Sequence, residues 1–128
     1  MEIIKTKIND TTIKLSFGEE ITDSTQQVKG AVELDIENQG RFVEMIEDLI
    51  VQSPMHVVLD MSGIIYIDSS GLWALFEAHK KVMQAGLKLV LFDVTKDVLR
   101  VLDITKMSSK ILISANETDA LAEIGRAG

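Results

Sequence analysis

The sequence has no cysteine and a single proline in 128 residues. Without thiols there is no disulfide framework, no thiolate metal site and no cysteine nucleophile. One proline and eight glycines are too few for a turn-dense all-β sandwich. Positive charge is also scarce: 13 Lys and Arg face 20 Asp and Glu, for a net charge of -7. No local cluster of Lys or Arg breaks that balance, so the field repels nucleic-acid backbones and anionic bilayers. Uninterrupted apolar runs are a handful of residues long, far short of the roughly 20 that span a bilayer. Met1-Glu2-Ile3-Ile4-Lys5 lacks the basic start and apolar run of a signal peptide. The expectation is a cytoplasmic, monomeric protein with neither nucleic-acid nor membrane partners.

What is present is ordinary for a globular domain: 46% hydrophobic and 26% charged residues. A chain of this length buries upwards of about 60% of its unfolded surface, enough for one core without staples. No repeat, low-complexity tract or linker divides it, and residues 1–128 are expected to form a single domain.

The opening reads as a hairpin. Ile4 to Ile8 lead into Asn9-Asp10, which has turn chemistry. Ile13, Leu15 and Phe17 then alternate with Thr12, Lys14 and Ser16 in the period of a half-buried strand. Residues 18–27 are polar and read as a loop, and Val28, Ala31, Val32 and Leu34 mark a third strand. Phe42, Met45, Ile46, Leu49 and Ile50 form one helical stripe, with Asp35 or Asn38 as its cap and Pro54 as its stop. His56-Val57-Val58-Leu59 is the apolar run of a central strand, and Ile64, Ile65 and Ile67 carry that signal up to Asp68. A second helix puts Leu72, Leu75, Phe76, His79, Val82 and Met83 on one face and ends at Gly86. Residues 87–92 read as a strand, and Val98, Leu99, Val101 and Leu102 as a short helical stripe. Ile111-Leu112-Ile113 is a short strand and Thr118 to Ile124 a last helix. The pattern is α/β, a mixed sheet with an N-terminal antiparallel hairpin and about four helices. A right-handed crossover is expected between the strands around the second helix.

Chemistry concentrates at Asp68-Ser69-Ser70-Gly71-Leu72, between an apolar run and an amphipathic helix. Asp and Ser there accept hydrogen bonds from the helix's first N–H groups, and glycine permits close backbone approach. Simple helix capping explains such a run. Enzyme readings are poorly supported. A serine hydrolase needs a Ser–His–acid set on a strand-to-helix elbow, but the only histidines are His56 and His79, and no G-x-S-x-G surrounds Ser69 or Ser70. His79 falls on its helix's apolar stripe, as a packed edge residue does. No phosphate-cradling glycine motif and no metal-ligand spacing occurs. Val57 to Met61 resembles the strand that carries a receiver's phospho-accepting Asp, here Asp60, and Asp93 ends another strand. A receiver also wants paired acids after its first strand, where this chain has Ile8-Asn9-Asp10 in a hairpin. A remaining reading is that Ser69 or Ser70 is itself phosphorylated, since helix N-terminal N–H groups and the helix dipole favour an anion.

The span from Val57 to Leu72 is similar to the strand, connector and switch motif of the STAS family, specifically the bacterial anti-sigma factor antagonists. Glu33-Leu34-Asp35 and Arg100-Val101-Leu102-Asp103-Ile104-Thr105 resemble two further family segments, and the likeness is strongest over residues 28–124. The resemblance implies a non-enzymatic, cofactor-free phosphoprotein that switches partners to regulate transcription. It implies that Ser69 is the residue phosphorylated by an anti-sigma factor serine kinase, with Ser70 as the runner-up. A metal-dependent serine phosphatase resets it, and only the dephosphorylated form binds the kinase. By the same resemblance Asp35, Asp68, Ser70, Gly71, Leu72 and Trp73 make the partner-binding surface. Val32 stands where the family usually has glycine, and Trp73 where it has a small residue. Within the family the alternative is an unphosphorylated STAS subunit of a transporter or signalling assembly. Trp73 is either a packed helix-edge residue or an interface anchor.

Overall fold

The continuous apolar runs sit at the centre of a sheet because they are covered on both faces. A computed structural model describes residues 1–21 and 28–126 of the chain. Strands β1 (Glu2–Lys7), β2 (Thr12–Gly18), β3 (Glu20–Ile21), β4 (Val28–Lys29) and β5 (Val32–Leu34) precede helix α1 (Gln39–Gln52). Strands β6 (His56–Asp60) and β7 (Ile64–Ile67) lead to α2 (Ser69–Gln84). Strand β8 (Leu89–Phe92), α3 (Lys96–Ile104), β9 (Leu112–Ser114) and α4 (Glu117–Ile124) complete the order. The main sheet runs β1-β2-β6-β8-β9, antiparallel between β1 and β2 and parallel elsewhere. This is the expected α/β fold with a mixed sheet, an N-terminal hairpin and four helices among the described residues.

Alternate residues of one strand feed two cores. Val57, Leu59, Leu89 and Leu91 pack with residues of α1, α2 and α3, whereas Val58, Val90 and Phe92 pack with Ala120 of α4. Lys14 and Lys88 fasten α4 over that second face. Lys14 Nζ meets Glu117 Oε1 at 2.8 Å, and Lys88 Nζ donates to the carbonyls of Glu123 and Arg126 at the other end of the helix. No helix among the described residues is long and apolar enough to cross a membrane.

Several local expectations differ from the structure. The third strand divides at Gly30, whose φ of 83° turns the chain. Val28–Lys29 pairs with Glu20–Ile21, inside the stretch read as a loop, while Val32–Leu34 pairs in parallel with β7. Residues 22–27 of that expected loop lie outside the described residues. Residues 64–67 therefore leave the main sheet and form a ribbon whose outer residues, Ile65 and Tyr66, are exposed. Neither Asp35 nor Asn38 caps α1 in the expected way. Asn38 occupies the cap position, but its Oδ1 accepts from the Asp35 N–H and its Nδ2 donates to the Glu33 carbonyl. On α2 the core side is Gly71, Ala74, Leu75, Ala78 and Val82, and Met83 is exposed. Two alanines, invisible to an apolar-stripe reading, belong to the core side of α2. Leu99 of α3 is likewise exposed, leaving Val98 and Leu102 in the core.

Candidate functional site

The site forms where the β5–β7 ribbon hands the chain to two helices. β7 ends at Ile67, and Asp68 is the N-cap of α2 in extended conformation. Each polar group of Asp68 has a task. Its Oδ1 accepts from the Gly71 N–H at 2.8 Å, and its Oδ2 accepts from the Ile36 N–H at 3.3 Å. Its own N–H donates to the Leu34 carbonyl at 3.3 Å, and its carbonyl accepts from the Leu72 N–H at 2.9 Å. One side chain thus satisfies an otherwise orphan N–H of α2 and ties the β5–α1 connection to it.

Gly71 completes this junction by allowing contact. A Cβ built on it would lie 2.1 Å from the Leu34 carbonyl oxygen and 2.8 Å from Ile67 Cγ1. Only hydrogen fits, so the glycine sets how near α2 starts to β5. On the other side, Asp35 Oδ1 accepts from the Glu37 N–H at 3.0 Å, and the Asp35 carbonyl accepts from the Gln39 N–H. Asp35 and Asp68 are therefore brought to one junction, through residues far apart in the chain.

The expected site residues divide by exposure. Ser69, the first residue of α2, is exposed, and Ser70 is half-buried. Gly71 is buried, and Leu72 is half-buried with its apolar side chain against the main core. Asp35 and Asp68 are half-buried. Trp73 is 52% exposed, one turn beyond Ser69 on the same side of the helix. Three residues that sequence reasoning did not assign to the site join it: Ile36, Ile65 and Tyr66, with 71%, 49% and 53% of their surface open. Their apolar character promises burial, and no local signal marks them as surface.

The histidines stand apart from this junction. His56 Nδ1 accepts from the Lys88 N–H at 3.0 Å, a contact between strand starts. His79 lies ten residues beyond Ser69, roughly 15 Å of helical rise. Burial holds its pKa below the ordinary histidine value. Asp60 Oδ1 accepts from the backbone and hydroxyl of Ser62, and Asp93 follows β8 with φ 51°. Among the described residues no three acidic or histidine side chains converge on a metal-sized space.

Asp68→Ala removes both side-chain acceptors. The expected result is a stability loss of about 1–2 kcal/mol, the usual cost of a deleted N-cap. Urea denaturation checks it, with Asp68→Asn recovering most of the loss because one amide oxygen still accepts.

Comparison with known proteins gives a match to the STAS domain over residues 19–120. The chain is similar to an anti-sigma F factor antagonist of Paenibacillus polymyxa, 33% identical over 69 residues, which are 54% of this chain and 59% of that one. It is similar to sulfate transporter 2.1 of Arabidopsis thaliana, 39% identical over 57 residues, 44% of this chain and 8% of the transporter. The chain thus spans little more than half of one of these relatives and a small part of the other. The protein TM1081 shares the fold with a TM-score of 0.78 and 21% identity, over 99% of this chain and 91% of that one. So does the Bacillus cell fate determinant SpoIIAA in its phosphorylated form, with a TM-score of 0.65 and 12% identity over 96% and 99% of the two chains.

Proposed function

The chain belongs to the STAS domain family, and on that premise we propose that it is an anti-sigma factor antagonist switched by phosphorylation of Ser69. In this reading the 128 residues are a single non-enzymatic domain working in the cytoplasm. The unphosphorylated face binds an anti-sigma factor that is also a serine kinase, and a metal-dependent serine phosphatase restores it. The observation that carries the reading is the open position of Ser69 at the first residue of α2, beside a carboxylate already engaged by two backbone N–H groups. Ser70, half-buried, is the less accessible hydroxyl. The likeness to the antagonist relative and to phosphorylated SpoIIAA supports the same class of activity.

The physics requires no change of fold. A phosphate adds about 1.5 to 2 negative charges at pH 7. The helix terminus favours it by roughly 0.3–2 kcal/mol, while the neighbouring half-buried Asp68 opposes it, its charge partly answered by two backbone N–H groups. The modified domain therefore persists, but a partner that must desolvate this face meets a charge it cannot bury cheaply. Incubation with an ATP-dependent anti-sigma factor kinase from the native host tests the reading by intact mass and fragment mapping. One phosphate on Ser69, absent in Ser69→Ala, is the expected outcome; a phosphate elsewhere, or none, overturns it.

The transporter relative favours a second reading, in which the same fold serves as an unphosphorylated STAS subunit of a transport assembly. That reading expects no mass gain in the same experiment.

A further inference from the structure

We infer that the partner docks through a segment in which Lys and Arg surround an apolar centre, a deepening that rests on the partner binding at the Ser69 face. Two observations independent of the switch carry it. The first is apolar exposure. Ile36, Ile65, Tyr66 and Trp73 are each about half open or more, and all lie within a few residues of Asp68–Ser69 or are tied to Asp68 by a hydrogen bond. Ile65 and Tyr66, consecutive in β7, open on opposite sides of the ribbon, so apolar exposure flanks the junction on both sides. Large exposed apolar side chains mark an interaction surface, and Trp and Tyr are the residue types that dominate such contacts.

The second observation is charge. Neither the stretch from Gly30 to Gly40 nor that from Asp60 to His79 contains a Lys or Arg, while Glu33, Asp35, Glu37, Asp60, Asp68 and Glu77 fall there. An open groove beside the ribbon is lined by Met1, Glu19, Glu33, Asp35, Asn38 and Ile65, so three carboxylates share one concavity with apolar groups, and Arg41, which donates to the Met1 carbonyl, is the cation at its edge. A complementary partner brings cations to the acidic rim and apolar side chains to Ile65, Tyr66 and Trp73. Rim charges act mainly on encounter and desolvated centres mainly on lifetime. A phosphate on Ser69, one turn from Trp73, strikes the centre: it shortens the complex while the rim still steers the approach.

The single tryptophan makes the test direct, because intrinsic tryptophan emission reports on Trp73 alone. The full chain is titrated with two synthetic amphipathic helical peptides of equal length and identical leucine stripe, one with lysine and arginine on its polar face and one with glutamate. The cationic peptide is expected to blue-shift Trp73 and to move amide resonances within residues 33–37 and 65–73. Its affinity falls at least tenfold between 50 and 500 mM NaCl. Glu33→Lys with Glu37→Lys, both at exposed positions, weakens it at least tenfold with an unchanged melting temperature. Equal binding of the two peptides, resonance changes confined to another face, or no response to the cationic peptide overturns the inference. The overall charge of -7 attracts cations everywhere, so the resonance map decides the location. No kinase or ATP is present, so a chain that discriminates the peptides but takes no phosphate sinks only the switch. A chain phosphorylated on Ser69 that does not discriminate them sinks only this inference.

Discussion

Ser69→Asp is expected to bind the anti-sigma factor kinase roughly 30- to 150-fold more weakly than Ser69→Ala. Burying an unpaired charge at an interface costs about 2–3 kcal/mol, and each 1.4 kcal/mol is a factor of ten. Ser69 is exposed and makes none of the junction's hydrogen bonds described above, so both variants retain the fold and melt close to the parent. Isothermal calorimetry gives the affinities and circular dichroism the folds. Equal affinity of the two variants would refute the switch. An Ala variant that binds as weakly as Asp would instead make the hydroxyl itself a contact.

Gly71→Ala is expected to cause a large loss of stability for a single added methyl group. The new Cβ meets the Leu34 carbonyl oxygen at 2.1 Å and Ile67 at 2.8 Å. The first of these is backbone, fixed by its place in the β5–β7 ribbon, so relief requires α2 to move away from β5. Overpacking of this kind costs about 1–3 kcal/mol. At roughly 3–5 °C per kcal/mol for a domain of this size, the melting temperature falls on the order of 10 °C. The shift also pulls Asp68 from the Ile36 N–H, so partner affinity declines with stability. Gly40→Ala, in α1, is the internal control. A Cβ there meets nothing within 4 Å, and the change gains up to about 1 kcal/mol from helix propensity. Thermal melts of the two variants should therefore move in opposite directions, and a neutral Gly71→Ala would disprove the close-packed junction.

These two expectations differ in where they come from. Ser69 is legible as a helix-start hydroxyl from its neighbours in the chain, because strand-to-helix transitions with Asp and Ser announce themselves locally. The steric demand on Gly71 is not, since its partner is a carbonyl at Leu34, 37 residues earlier in the sequence. The same contrast separates Asp68 as a cap, readable from its neighbours, from Asp68 as a tie to Ile36, which depends on a long-range contact.

Periodicity misled wherever burial was uneven. Ile65 looks like core because it stands in an apolar run, yet β7 pairs with β5 outside the main sheet and leaves that side uncovered. Met83 and Leu99 occupy positions on plausible helical stripes but are exposed; the core side of α2 takes in Ala74 and Ala78 instead, while on α3 Val98 and Leu102 of the expected stripe are the buried members. Small residues carry little hydrophobic weight in a sequence pattern while permitting the closest helix packing.

The sequence alone determined the α/β class, the hairpin start, the two-sided burial of β6, and the place of Ser69 at the front of a helix. Each is a local matter of side-chain period, turn chemistry and capping, which neighbours in the chain decide. Tertiary structure alone decided that β5 and β7 form a separate ribbon, that Gly71 must touch Leu34, and that Ile36, Ile65, Tyr66 and Trp73 remain open. Those facts depend on which distant segments meet, and hydrophobicity states how much each residue gains from burial without stating which partner will cover it.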